Sequence, residues 1–423
     1  MKAIIIGGGI GGLTTALCLH RLGIECEVYE QAAELRELGV GITLMTHAVA
    51  ELADLGLLPD LDRVAIRSEY LNYVTKRCQT VWREPRGTLA GHPVPQFFIH
   101  RGHLQGVLHG AAKRDLPEGT VRLGHRAVSA TQTGDTVTAD FVDPDGNPCG
   151  TATGDILIGC DGIHSVVRKV IAPDEGAPLW SGLMLWRGAT DWPKFLGGSS
   201  LLISGGVDAK FVTYPIAPGK TEDTRLTNWA AIFRLAPFGS PLPTHGDWSR
   251  PGLREDLMPR LDVFSVGEVD YPALVEHTEE FWEYPMCDRE PIPRWSKGRI
   301  TLLGDAAHPM YPMGANGASQ AIVDARCLAD ALQGGADPVA ACKAYEAERV
   351  PVLSQIVRQN RQGGPEGVID AVEALAPDGF DDVDAVLGRD DREAIVRGYT
   401  TLTGSAMAAR QRVPVAPAPL ASD

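Results

Sequence analysis

Three glycines near the start of the chain, Gly7, Gly9 and Gly12, have the spacing G-x-G-x-x-G. The first permits a tight turn, the second lets backbone approach a pyrophosphate, and the third lets a helix and a strand pack closely. A helix opening near Ile10 aims its free N–H groups and positive dipole end at the phosphates. Glu30 follows 18 residues after Gly12, at the end of a β-type run. A carboxylate there holds ribose hydroxyls and repels a 2′-phosphate, so the expected nucleotide is FAD or NAD rather than NADP. The loop does not separate those two, and glycine loops that merely turn are common.

A second constellation lies far along the chain, in GRITLLGDAAHPMYPMGANGASQAIVDA, residues 298–325. It reads as a strand, then Gly304-Asp305, then a turn with Pro309, Pro312 and Gly314, then a helix. A carboxylate at a strand's end suits the hydroxyls of a ribityl chain. The helix start near Gly314, Ala315, Asn316 and Gly317 offers free N–H groups that would stabilise a reduced flavin, an anion at N1 and O2. The competing reading of Asp305 is an N-cap before a short helix.

These residues need elements to position them. Residues 2–6 read as a buried strand, 13–22 as a helix stopped at Gly23, and 25–29 as a second strand. Strand, glycine turn, helix and strand in that order make a βαβ unit, and hence a parallel sheet. Residues 155–160 and 299–303 are further apolar strands, and 46–55 is helical. The middle of the chain is β-rich, with Gly and Pro between runs such as KFVTYPI and NWAAIFRL. The expected fold is α/β: a Rossmann-like FAD-binding domain with a parallel sheet, interrupted by a mixed β-sheet substrate domain, plus C-terminal helices. The expected divisions are 1–175 and 291–362 for the FAD-binding domain, 176–290 for the substrate domain, and 363–423 for C-terminal helices and a flexible tail. A helix is expected over 316–332, and a long one over 337–362, bent near Pro351. VPVAPAPLASD, at 413–423, is expected to be a disordered tail.

Composition narrows the partners. The 423 residues carry 39 Lys and Arg against 54 Asp and Glu, a net charge of −15, with no long basic block. Nucleic acid and anionic membrane are therefore poor partners. None of the eight cysteines forms a C-x-x-C or a zinc-spaced pair, so free thiols and no metal site are expected. No signal peptide or long apolar span follows the short run at 3–6, which makes the cytoplasm the expected location.

Taken together, the motifs resemble the single-component FAD-dependent aromatic hydroxylases of the para-hydroxybenzoate hydroxylase type, the class A flavoprotein monooxygenases. Three signatures carry this: GGGIGG with Glu30; Asp161-Gly162 in CDGIHSVVR, with Ser165 and Arg168; and Gly304-Asp305 followed by His308-Pro309. Within that class, GVGITLMTHAV, VWREPRG, IHRGHLQ, MLWRGAT and YPMCDREPIPRW are similar to the bacterial hydroxylases acting on 5-methylphenazine-1-carboxylate. The likeness covers about residues 1–360 and thins beyond Gly363.

The resemblance implies that Asp305 holds the ribityl chain and that the Asp161 segment serves both FAD and NAD(P)H. It also implies that Arg101 lies over the flavin's phosphate and ribityl region. Pro312 and Gly314 fall where that class reacts with oxygen, and His308 shapes the flavin loop rather than acting as a base. The implied cycle has NAD(P)H reduce FAD, O2 add at flavin C4a, and the hydroperoxide pass oxygen to an electron-rich ring, with decarboxylation if it enters at the carboxylate-bearing carbon. No second G-x-G-x-x-G is present, so the nicotinamide docks transiently and its identity, NADH or NADPH, is open. Trp186, Arg187, Tyr214, Pro215 and Met286 are candidates for the substrate wall, with sheet core as the alternative. Lys210 is a candidate partner for a substrate carboxylate, or else a solvated strand-end lysine. No dedicated base for a phenol is evident, which favours an amino-substituted or heteroaromatic ring. The alternative function is an FAD-dependent oxidase or dehydrogenase of a small molecule. Monomer and homodimer are both open.

Overall fold

The computed structural model describes residues 1–34, 40–242 and 250–402. The sequence 413–423, expected to be a tail, lies outside the described residues.

The first strand, Lys2–Ile6, sits near the middle of a six-stranded sheet. The order is Ser296–Lys297, Ile300–Leu302, Ile156–Gly159, Lys2–Ile6, Glu25–Tyr29, Val121–Arg122. All neighbours pair in parallel except the hairpin formed by the first two. Parallel strands covered on both faces must be apolar throughout. The residues Ala3–Ile6 and Ile156–Ile158 are accordingly almost fully buried. The parallel direction has a functional consequence. The loops after Ile6, Tyr29, Gly159 and Leu302 all leave from one edge of the sheet, where open α/β folds bind their ligands.

A second sheet of seven strands stands beside it, in the order Phe281–Asp288, Leu179–Pro193, Thr224–Arg234, Ala209–Pro218, Ser200–Ser204, Tyr70–Val74, Thr80–Pro85. Its first five strands fall within 176–290. The last two do not: Tyr70–Val74 pairs in parallel with Ser200–Ser204, so this sheet draws on residues assigned from sequence to the nucleotide domain. One face packs Met184, Trp186, Phe211, Trp229 and Phe233 against helical turns at 254–277. The opposite face carries Leu71, Tyr73, Ile203 and Tyr214. It is covered by Phe98 and by Val368, Ile369 and Val396 of two C-terminal helices, Gly367–Leu375 and Arg389–Leu402. Alternation with period two thus decides which residues of this sheet face the nucleotide domain.

The long helix is observed over Pro338–Asn360 with Pro351 inside it, and the helix after the second motif over Gly317–Leu332. Among the described residues, no helix is long and apolar enough to cross a membrane.

Candidate active site

At the edge shared by the parallel strands, Gly7 turns the chain with φ +104°, and a Cβ there would stand 2.4 Å from the Cys160 carbonyl oxygen. A Cβ on Gly12 would stand 1.9 Å from the Gly7 carbonyl oxygen. Both positions are closed to any side chain by backbone. Gly9 differs: a Cβ there meets nothing within 4 Å, so its face is open toward whatever approaches the turn. The helix Ile10–Arg21 begins there with no side-chain cap and no acid in its first turn. Its positive end is therefore left for an external anion.

Glu30 is held beside this turn by backbone. Its Oε2 accepts from Gly8 N at 2.7 Å and its Oε1 from Ala32 N at 2.8 Å. Each oxygen keeps a lone pair for a hydroxyl donor. Gln105 Nε2 donates to the Gly8 carbonyl at 3.1 Å, tying the turn to the helix Arg101–Asp115. Arg101, first in that helix, is exposed and has no ion-pair partner among the described residues.

The two aspartates of the later motifs behave differently. Asp161 turns inward. Its Oδ1 accepts from Ser165 Oγ at 2.5 Å, and its Oδ2 from Val166 N at 2.7 Å and Val167 N at 3.2 Å. Burial pushes its pKa up against the opposing pull of these donors. This carboxylate accepts from the first backbone N–H groups of the short helix Val166–Ile171, whose N-cap is Ser165. Arg168, almost fully buried, pairs with Glu175 through two bonds of 2.6 Å. It also donates to the carbonyls of Ala306 and Ala307 at 2.9 and 2.7 Å. The D-G-x-x-S-x-x-R segment thus works as a bracket that fixes the Asp305 loop.

Asp305 itself is exposed at the strand edge, with no hydrogen-bond partner among the described residues. Its loop is fixed from below by a buried network. His308 Nε2 lies 2.5 Å from Asp324 Oδ2, and Gly304 N donates to the same oxygen at 3.2 Å. Arg349 Nε donates to Asp324 Oδ1 at 2.7 Å, and its Nη2 to Gln320 Oε1 at 2.6 Å. Burial alone would raise the Asp324 pKa, but Arg349 and His308 beside it hold it below the usual carboxylate range. His308 is locked in this network, as a loop-shaping residue would be.

The segment Pro312–Gly317 faces the second sheet. Gly314 has φ +69°, and Ala315, a residue with a Cβ, is also left-handed at φ +50°. Such backbone persists where its surroundings over-determine it. Here a Cβ at Gly314 would lie 2.4 Å from the Tyr399 ring, and Tyr399 Oη donates to Met313 O at 3.1 Å and Asn360 Oδ1 at 2.7 Å. The helix that follows, Gly317–Leu332, again has no acid in its first turn. Open backbone at Gly9, two helix starts without acids, and carboxylates at Glu30 and Asp305 make a donor and acceptor set that fits FAD.

Between this segment and the second sheet runs a cleft lined by Thr43, Leu71, Tyr73 and Ile203 on one side and Gly314 and Ala315 on the other. Of the wall residues expected from sequence, none lines it directly. Trp186 faces the far side of the sheet, where its Nε1 donates to Glu283 Oε2 at 2.8 Å; strand alternation puts Arg187, not Trp186, on the near face. Tyr214 is on the near face, tilted against Phe98, and burial pushes its phenol pKa up to about 12. Met286 packs in one cluster with Tyr311 and Met313. Lys210 is buried, ion-paired with Glu366 and 3.2 Å from Met313 Sδ, so it does not meet a substrate carboxylate. Glu366 Oε1 in turn accepts from Gly314 N at 3.1 Å. Sequence reasoning missed Glu366 and Tyr399, because nothing local marks a residue whose partners lie this far back along the chain. Arg86, which also lines the cleft, stood in VWREPRG without an assigned role.

Comparison with known proteins agrees with this geometry. The profile of the FAD binding domain family matches residues 1–178 and 268–360. The chain is 41% identical over 365 residues to the phenazine 1,6-dicarboxylic acid hydroxylase of Lysobacter antibioticus, covering 85% of this chain and 88% of that protein. It is 34% identical over 378 residues to a 3-amino-4-hydroxybenzoate 2-monooxygenase of Streptomyces platensis, covering 86% and 88% respectively. Among solved structures, a salicylate hydroxylase in complex with its substrate superposes with a TM-score of 0.72 at 22% identity, over 97% of this chain and 99% of that one, a likeness of fold. The chain belongs to the FAD binding domain family and is an FAD-dependent aromatic hydroxylase.

Proposed function

We propose that the enzyme hydroxylates an electron-rich aromatic or heteroaromatic carboxylate of the phenazine type, with loss of CO2 where oxygen enters at the carboxylate-bearing carbon. The observation that carries this is the cleft, lined by Leu71, Tyr73 and Ile203 of the second sheet together with Gly314 and Ala315. The identity to a phenazine 1,6-dicarboxylic acid hydroxylase supports the tricyclic class. Bound FAD, reduced by NADH or NADPH, supplies the activation of O2. The protein's part is to hold and shield. Gly314 and Ala315 present backbone rather than side chain to the ring's approach, and the C-terminal helices exclude water from the cleft. Neither Tyr214, its phenol pushed up to about 12, nor His308, bonded to Asp324, lines the cleft. That favours a ring already activated by nitrogen. The oxidase or dehydrogenase alternative finds no support among the relatives named above.

Within the site, the Gly7–Gly12 turn takes the pyrophosphate, Glu30 the ribose and Asp305 the ribityl hydroxyls, with Arg101 above them. Gly304, Asn316 and Gly317 frame the flavin, and Pro312 closes the oxygen-reacting side. Asp161 contributes through its bonds to the helix Val166–Ile171. An Asp305→Ala variant is expected to keep its fold, since this exposed carboxylate has no partner among the described residues. Its FAD affinity should fall about 10- to 100-fold, the worth of charge-assisted hydrogen bonds. Titration of apo-protein with FAD, followed by flavin fluorescence, measures this; wild-type affinity would rule out the ribityl role.

The reaction class is tested by anaerobic flavin bleaching with NADH and with NADPH, alone and with phenazine carboxylates, aminobenzoates and phenols. A phenazine carboxylate is expected to accelerate bleaching by orders of magnitude. Equally fast bleaching with no aromatic present would count against a hydroxylase gated by its substrate.

A further inference from the structure

The cleft ends in a polar corner where Ser68, Arg86 and Gln96 line the wall. The backbone gathers them. Ser68 N donates to Gln96 O at 2.8 Å, and Arg86 N to Glu69 O at 2.8 Å. A Cβ at Gly87 would lie 2.6 Å from the Gln96 nitrogen, so the turn after Arg86 is pressed against Gln96. Ser68 is only 4% exposed, yet its hydroxyl has no hydrogen-bond partner among the described residues. The Arg86 Nε is likewise buried without an acceptor among them. Behind it, Glu84 Oε1 takes Arg86 Nη2 at 2.6 Å, and Glu84 Oε2 accepts from Trp82 Nε1 at 3.0 Å. The guanidinium is thus oriented from one side and unanswered on another.

Buried donors without acceptors are rare in folded proteins and call for an explanation. Three of the residues lining this one cavity, Thr43, Ser68 and Arg86, carry such an atom, and at Ser68 and Arg86 it is explained by an acceptor that arrives with the ligand. An arginine fork with a neighbouring hydroxyl matches a carboxylate. Lys210, which the sequence offered as a candidate for this task with a solvated strand-end lysine as the alternative, is paired with Glu366.

We propose that Ser68 and Arg86 form the subsite for the substrate's carboxylate, and that Arg86 sets the preference for anionic over neutral rings. The proposal rests on the reading of the cleft as the aromatic-substrate site. It goes further in saying which end of the ring system points away from the flavin-facing segment.

The test uses the FAD-loaded enzyme and follows the change in flavin absorbance on titration with two matched pairs. These are phenazine-1-carboxylate with phenazine-1-carboxamide, and 3-amino-4-hydroxybenzoate with its amide. The wild type is expected to prefer each acid over its amide. Arg86→Met should raise Kd for the acids about 10- to 100-fold, the worth of a charge-assisted pair, and leave the amides nearly unchanged. Arg86→Lys should keep part of the preference, and Ser68→Ala should cost less than Arg86→Met. FAD content and thermal midpoint check that each variant is folded. If Arg86→Met weakens acid and amide alike, or neither, the subsite is overturned while the aromatic-site reading stands. If only the benzoate pair binds, and its discrimination is lost in Arg86→Met, the subsite stands and the phenazine reading falls. If no aromatic ligand perturbs the wild-type flavin, both are overturned. Should Arg86→Met fail to fold, an unchanged acid preference in both Arg86→Lys and Ser68→Ala would also overturn the proposal.

Discussion

A Gly12→Ala variant is expected to purify colourless. The new methyl would sit 1.9 Å from the Gly7 carbonyl oxygen, and neither partner is a side chain that can swing away. The turn must open, and overpacking of this kind costs about 1–3 kcal/mol even where side chains do the yielding. Opening it also moves the N–H groups that a pyrophosphate needs. Gly9→Ala is the matched control. Its backbone is extended, at φ −76° and ψ −170°, and its methyl meets nothing within 4 Å among the described residues. The two variants should therefore separate. Gly12→Ala should lower the melting temperature of the apo-protein and abolish FAD binding. Gly9→Ala should leave the apo-protein as stable as wild type and weaken FAD by at least about tenfold, because only the cofactor fills that space. A fully yellow Gly9→Ala protein would remove the pyrophosphate from this turn.

The second large effect is expected at Asp324, which touches no ligand. Asp324→Asn keeps the shape but leaves Arg349 buried without its counter-charge and His308 without its carboxylate partner. Breaking a buried pair by removing one partner costs about 3–5 kcal/mol. The sign of the pH dependence follows from the depressed pKa of Asp324. Its contribution is full above the ordinary carboxylate pKa and is lost as pH falls through the lower folded value. The gap between wild type and Asp324→Asn should thus be widest near neutrality and close in acid. Chemical denaturation at a series of pH values reads this directly; a gap that grows toward low pH would contradict the ionised Asp324. Because Gly304 N shares the same carboxylate, FAD retention should fall in parallel.

What could be read from sequence was what local sterics and strand order decide. Gly7 and Gly12 declare themselves because nothing with a side chain fits there. That Asp305 lies near the ligand edge could be read because the parallel strand Ile300–Leu302 ends just before it. Direction and distance were not legible. Asp161 and Asp305 look alike as strand-end acids, yet one bonds to the helix after it and the other faces out; only the chain's turn after each decides. Trp186 and Arg187 are adjacent, and the sheet register chose the arginine for the near face. Lys210 carried the right charge, but its partner lies 156 residues away. The strands at 70–85 were invisible as part of the second sheet because their neighbour, Ser200–Ser204, comes more than a hundred residues later.

The C-terminal segment that covers the second sheet also completes the cleft wall. The family profile ends at residue 360, just before Glu366 and Tyr399 enter the cleft wall. The two stretches that match the family, 1–178 and 268–360, thus do not contain the whole cleft wall. Glu366 and Tyr399 reach it from beyond them, and each is bonded back to the turn at 313–314. A change at either would therefore move two things at once, the outline of the opening and the backbone that faces it.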